Sequence, residues 1–102
     1  MSLTIETPRL QLRPFKREDL RTFAAYRSDA ETARYQSWEP PYTLAQAERF
    51  LGSMAGVEPG TPGEWFQLAL ELRCDGAMIG DCAFCTLAGD TRQAEIGYTL
   101  AP

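Results

Sequence analysis

The chain has no histidine, so the commonest metal ligand and the commonest general base near neutral pH are both missing. Cysteine is scarce too. Cys74, Cys82 and Cys85 form an odd set without the density of a secreted disulfide framework, and reduced thiols are expected. Cys82 and Cys85 have CxxC spacing, but on a strand they sit roughly 10 Å apart and face opposite ways, too far for a disulfide. With no second such pair, no metal site is expected. The longest Lys/Arg cluster is the pair Lys16 and Arg17, so the basic footprint of a nucleic-acid binder is absent. No uncharged apolar run approaches the roughly 18–20 residues that cross a bilayer, and the first ten residues lack the basic start and apolar core of a signal peptide. A cytoplasmic protein without a membrane partner is expected. Glycine loops of the phosphate or dinucleotide kind and a nucleophile elbow are also missing.

What is present describes one small soluble domain. The chain has 102 residues, 44% of them hydrophobic and 24% charged, with 8 Gly and 7 Pro. This is close to the globular average. The net charge of −4 suits a cationic substrate such as an amine, and equally serves solubility. Leu10 and Leu12 alternate with Arg9, Gln11 and Arg13, the period of a half-buried strand. Glu18 and Asp19 open a helix whose apolar stripe is Leu20, Phe23 and Ala24 and which ends near Ser28. Asp29 can cap a short second helix through Tyr35. Thr43 and Gln46 have capping-box spacing for a third helix that stops at Gly56, with Leu44, Ala47, Leu51 and Met54 on one face. A connector rich in Pro and Gly follows at 57–63. Residues 65–73 alternate strictly, and Asp75 with Gly76 predicts a type I′ turn into a strand from about Ala77 to Leu87. A second turn at Gly89 and Asp90 leads to a strand over 93–101, with Ala94, Ile96, Tyr98 and Leu100 on one face. The fold class is therefore α+β: an antiparallel sheet of about four strands with two to three helices on one face.

Four phrases in this order carry a resemblance. IETPRLQLRPFKREDL (5–20), RYQSWEPPYTLAQAERFL (34–51), MIGDCAF (78–84) and AEIGYTLAP (94–102) resemble the GNAT-superfamily acetyltransferases, in particular the branch that acetylates protein N-termini, including those of ribosomal proteins. The resemblance implies the N-terminal part of the GNAT fold as a single partial domain. In the family, a glycine-containing loop and helix that hold the pyrophosphate of acetyl-CoA follow the last of these strands, and that loop is expected to lie outside the 102 residues. It further implies acetyl-CoA as co-substrate and an amine acceptor, a protein or peptide N-terminus.

Acetyl transfer needs an uncharged amine to attack a thioester carbonyl, with donors aimed at the oxygen that becomes negative. By resemblance, Tyr98, Thr99 and Leu100 contact the acetyl and pantetheine end, with the Leu100 N–H as oxyanion donor. The alternative for Tyr98 and Leu100 is ordinary core packing. Glu95 alternates away from the apolar face and is the candidate base; its alternative is a solvated strand carboxylate. Trp38, Tyr42 and Phe84 are candidates for the acceptor pocket, against a lid, a helix staple and core, respectively. An α-amino group of pKa about 7.8 costs about 1 kcal/mol to neutralise at pH 7, whereas a lysine amine near 10.4 costs about 4.6 kcal/mol. A weakly placed base therefore favours an N-terminal acceptor. From another class comes the reading of a catalytically silent interaction module, a homodimer built across an exposed last strand or through a sheet face.

Overall fold

The computed structural model describes residues 3–34, 41–54 and 56–101. Its strands are β1 (Ile5–Glu6), β2 (Leu10–Arg13), β3 (Trp65–Leu72), β4 (Met78–Leu87) and β5 (Asp90–Leu100). The helices are α1 (Leu20–Arg27), entered through a 3₁₀ turn at Arg17–Asp19, then α2 (Ala30–Ala33) and α3 (Leu44–Met54). All strands pair antiparallel with their sequence neighbours, in the order β1-β2-β3-β4-β5. The α+β expectation holds, with one strand more than the four expected. Strand β1 is the addition, and a tight turn folds it onto β2. The Thr7 N–H donates to the Leu10 carbonyl at 2.8 Å, and the Leu10 N–H donates to Thr7 Oγ1 at 2.9 Å. Thr7 followed by Pro8 is good chemistry for such a turn.

The expected cap of the third helix is present. The Gln46 N–H donates to Thr43 Oγ1 at 3.1 Å and the Thr43 N–H to Gln46 Oε1 at 2.8 Å, which satisfies two donors that the helix start would otherwise orphan. The turn at Asp75 and Gly76 needs correction. Gly76 has φ +75°, but no non-glycine residue among those described has positive φ, so the type I′ geometry is excluded. The hairpin closes instead through Leu72 N–H to Ala77 O and Gly76 N–H to Leu72 O, both 2.8 Å. Four residues then span the turn, and a four-residue loop needs only its last residue in the left-handed region. Asp75 helps by accepting the Ala77 N–H.

Directly opposed residues share a face, so the register assigns the two faces of the sheet. Arg13, Ala69, Asp81 and Thr99 lie in one row across β2 to β5, and Leu12, Leu70, Gly80 and Leu100 in the next. Helix α1 covers the first face, because Tyr26 and Arg27 reach Asp81. Helix α3 packs on α1: Phe50 stacks on Phe23 at 4.9 Å, and Phe15 and Tyr42 meet Phe23 edge-on. Leu20, Phe23, Ala24, Tyr26 and Ala47 form the buried centre of this layer. The opposite face is apolar from Leu10 and Leu12 through Leu70, Leu68 and Phe66 to Cys82, Phe84, Ile96, Tyr98 and Leu100. Leu68 is buried there, but at β5 Ile96 is 75% exposed, Tyr98 70% and Leu100 51%. Among the described residues, Tyr98 and Leu100 therefore have little packed against their side chains. A stripe at an edge strand has a neighbour on one side only.

Candidate functional site

The last residues of β5 form the candidate site, and hydrogen-bond phase decides what they offer. The Ala101 N–H donates to the Ile79 carbonyl at 2.8 Å, so residues 101, 99, 97 and 95 turn their backbone groups toward β4. By the alternation of an antiparallel ladder, Leu100, Tyr98 and Ile96 point theirs outward, where β5 is the edge of the described sheet. Leu100 and Tyr98 thus present N–H donors on an open margin. Thr99 differs. Its backbone faces β4 and its side chain lies on the covered face, 7% exposed, directly opposite Asp81.

Gly80 fixes how closely this segment is held. A Cβ on Gly80 would stand 2.2 Å from the Thr99 carbonyl oxygen and 3.0 Å from Leu100 Cα. No side chain fits there without moving β5, the situation in which a strand interior uses glycine. Beside it Asp81, 2% exposed, accepts a short hydrogen bond from the Tyr26 hydroxyl and another from Gln67 Nε2 at 3.2 Å. Arg27 Nη2 lies 3.9 Å from Asp81 Oδ1, and its guanidinium is 4.3 Å from the Phe23 ring centre. Burial pushes the Asp81 carboxyl upward, opposed by the Tyr26 hydrogen bond and the Arg27 charge. Burial, then the Asp81 charge, raises the Tyr26 phenol. Gly80 and Asp81 entered the sequence reading only as part of a phrase; a glycine inside a strand followed by an acid was the available signal.

The predicted site residues are only partly brought together. Tyr98, Thr99 and Leu100 are contiguous, with the two-to-one division of backbone direction just described. Glu95 lies on the covered side of the sheet, opposite Cys85, yet is itself exposed. It stands five residues from Leu100, about 17 Å along a strand. That is beyond direct proton transfer to anything held at the Leu100 N–H. Tyr42 packs on Phe23, and both its N–H and its carbonyl bond Ser28 Oγ, at 2.9 and 3.0 Å. Phe84 is on the other face, against Phe66 at 5.8 Å, so Tyr42 and Phe84 do not share a pocket wall. Trp38 lies outside the described residues. Among the described residues, no group of three or more His, Cys, Asp or Glu is placed to hold a metal, the three cysteines are free thiols, and no helix is long and apolar enough to cross a membrane.

The described meander closes on a strand that presents outward backbone donors beside a glycine-tight contact. The chain belongs to the acetyltransferase (GNAT) domain family, which it matches over residues 9–102. It is 32% identical over 98 residues to YoaA, an uncharacterized N-acetyltransferase of Bacillus subtilis (strain 168), covering 96% of this chain and 54% of that protein. Two solved structures share the fold. A GNAT-family acetyltransferase from Bacillus anthracis superposes with TM-score 0.76 at 22% identity, over 98% of this chain and 54% of the other. A proposed ribosomal-protein-serine acetyltransferase from Vibrio cholerae gives 0.74 at 19% identity, over 97% and 55%. The chain spans about half the length of the relatives it matches.

Proposed function

We propose that the chain is part of an N-acetyltransferase that moves an acetyl group from acetyl-CoA to the amine of a protein or peptide N-terminus. The observation that carries this is the outward-facing backbone of Leu100 and Tyr98 at the β5 margin. Acetyl-CoA supplies an acyl group activated as a thioester. The Leu100 N–H is the donor for the carbonyl oxygen, already oriented because the neighbouring backbone of Thr99 and Ala101 is tied to β4. The Tyr98 backbone and exposed ring line the pantetheine side. Glu95, about 17 Å along the strand from Leu100, is too distant for direct contact or a single bridging water and takes the amine proton only through a chain of several waters. An N-terminal amine suits so remote a base, being only about 1 kcal/mol from neutral at pH 7. The Vibrio cholerae neighbour, by its description, favours a protein acceptor. Tyr42 and Trp38 are proposed for the acceptor side, and Phe84 for support of Ile96 on the donor side.

Melting the 102-residue chain with and without acetyl-CoA tests the reading. Ligand at about 100 times its dissociation constant adds about 2.7 kcal/mol, a rise of roughly 10 °C or more for a domain this size. Glu95→Gln should keep that rise and lose turnover of an N-terminal peptide. Cooperative melting without any rise at millimolar acetyl-CoA would sink the reading. It would favour the second one, a catalytically silent dimeric module, for which the exposed stripe at Ile96, Tyr98 and Leu100 speaks.

A further inference from the structure

We propose that the turns at one end of β2 and β3 form a site for a small disulfide carrying carboxylates, which Arg9 and Arg73 hold while Cys74 joins it as a mixed disulfide. A cavity of ≈ 540 Å³ opens there, lined by Pro8, Arg9, Leu72, Arg73 and Cys74. Its walls come from the β1–β2 turn and the β3–β4 turn, and β4 stands between it and β5. That volume lies in the range of small-molecule sites and is far more than a single ion fills.

The walls are cationic in a chain of net charge −4. Leu10 pairs with Leu72, and the Arg73 N–H donates to the Arg9 carbonyl at 2.9 Å. This carries the ladder one residue further and sets Arg9 directly opposite Arg73. Like charges in that position are destabilising and call for an anion between them. Among the described residues neither arginine has an ion pair. The acids flanking Arg73 in sequence are committed elsewhere: Glu71 accepts from Arg13 Nε at 2.7 Å and Asp75 from the Ala77 N–H at 2.9 Å. Arg73 Nη1 donates to the Thr7 carbonyl at 2.8 Å, which ties its guanidinium across both turns and leaves most of its five donors unspent. A guanidinium fixed in this way beside a second one is a receptor for carboxylate. Cys74 supplies the covalent half. It is a free, exposed thiol, whereas Cys82 is partly buried and Cys85 buried. Two cations and a thiol on one cavity wall fit a molecule with acid groups and an electrophilic sulfur, and an acidic disulfide of peptide size has both. The Cys74 thiolate attacks one ligand sulfur, and the ligand S–S bond breaks as the new one forms. The other half leaves as a thiolate and takes up the proton that Cys74 released to solvent. Cys74 is oxidised and the departing half reduced, so no further oxidant enters.

Mass spectrometry with peptide mapping tests this, following mixed-disulfide formation at Cys74 at low ionic strength with three reagents: oxidised glutathione, the uncharged bis(2-hydroxyethyl) disulfide and the cationic cystamine. Each rate on the folded chain is divided by the rate at Cys74 in urea, which cancels the reactivity of the reagent and the effect of Arg73 as a sequence neighbour. The expected folded-to-unfolded ratio is roughly fivefold higher for oxidised glutathione than for the uncharged reagent, and lowest for cystamine. The overall charge of −4 alone predicts the reverse order. The Arg9 side chain makes no hydrogen bond among the described residues, so Arg9→Gln should melt like the parent. In that variant the ratio for oxidised glutathione should fall to the uncharged value, and Arg9→Lys should restore part of it. Adducts forming first at Cys82 or Cys85, no preference for the acidic reagent in the folded chain, or a preference that Arg9→Gln leaves unchanged would overturn the proposal.

Discussion

The covered face of the sheet and the outer margin of β5 are built from the same strand residues in alternation, yet they treat polar groups in opposite ways. Under α1, the carboxylates of Asp19 and Asp81 and the Arg13 guanidinium are buried and matched. Arg13 donates to Asp19 through both terminal nitrogens, at 2.8 and 2.9 Å, and to Glu71 through Nε at 2.7 Å. The Lys16 N–H adds a further bond to Asp19 at 2.7 Å. Burial raises the Asp19 carboxyl, but the Arg13 and Lys16 hydrogen bonds more than offset it, and the group ends below its ordinary value. At the margin the side chains are apolar and the unmatched polar groups are backbone. A matched buried network resists change. An open ladder of N–H and C=O groups beside exposed apolar side chains invites a ligand or a strand.

The largest effect should come from cutting the covered face at its centre. Asp81→Ala leaves Tyr26, Gln67 and Arg27 facing a buried gap and should cost about 3 kcal/mol or more, read by urea denaturation. Tyr26→Phe removes one hydrogen bond and should cost about 1–2 kcal/mol. If both variants melt like the parent, the two regions do not differ in the way argued. Gly80→Ala acts on the seam between them. The added methyl meets backbone at 2.2 Å, so β5 must shift; the cost is about 1–3 kcal/mol. The acetyl-CoA melting shift should fall with it, whereas Gly52→Ala, with open space around it, should keep it.

Acid titration separates the two buried carboxylates. Asp19 is held below the ordinary value of 3.8, so its contribution is present above that pH and is lost as pH falls through its folded value. Asp81 is raised, so its contribution runs the other way, present below 3.8 and lost as pH rises through its folded value. Stability of the parent should therefore drop on acidification below pH 3.8 with a slope that Asp19→Asn flattens and Asp81→Asn does not. A slope unchanged in Asp19→Asn would refute the assignment.

Much of the fold was legible because it rests on local rules. Alternation at 65–73, the stripe of Leu20, Phe23 and Ala24, and the Thr43–Gln46 cap are set by residues a few positions apart, and each stands where it was expected. The two-residue β1 carried too short a pattern for periodicity to register, although Thr7 and Pro8 marked its turn. The Asp75 and Gly76 pair misled because closing the hairpin at Leu72 and Ala77 sets the loop length, which the dipeptide does not encode. The candidate site was legible as a segment and not as a geometry. Alternation put Ile96, Tyr98 and Leu100 on one face, but whether that face is covered depends on what lies across it, and which N–H groups point outward depends on the ladder phase with β4. The Asp81 cluster joins residues 26, 27, 67 and 81 from three elements, and no spacing rule connects them.

The smallest expected effect is the sharpest comparison. Ile96→Thr in a dilute, monomeric sample should change stability by about 0.5 kcal/mol or less, because a side chain 75% exposed has little burial to lose. Leu68→Thr, on the same apolar face but fully buried, should cost several times more, about 2–3 kcal/mol, through lost burial and a hydroxyl without a partner. If Ile96→Thr instead unfolds the dilute monomer as readily as Leu68→Thr, the β5 margin is part of the core and the contrast between the two regions fails.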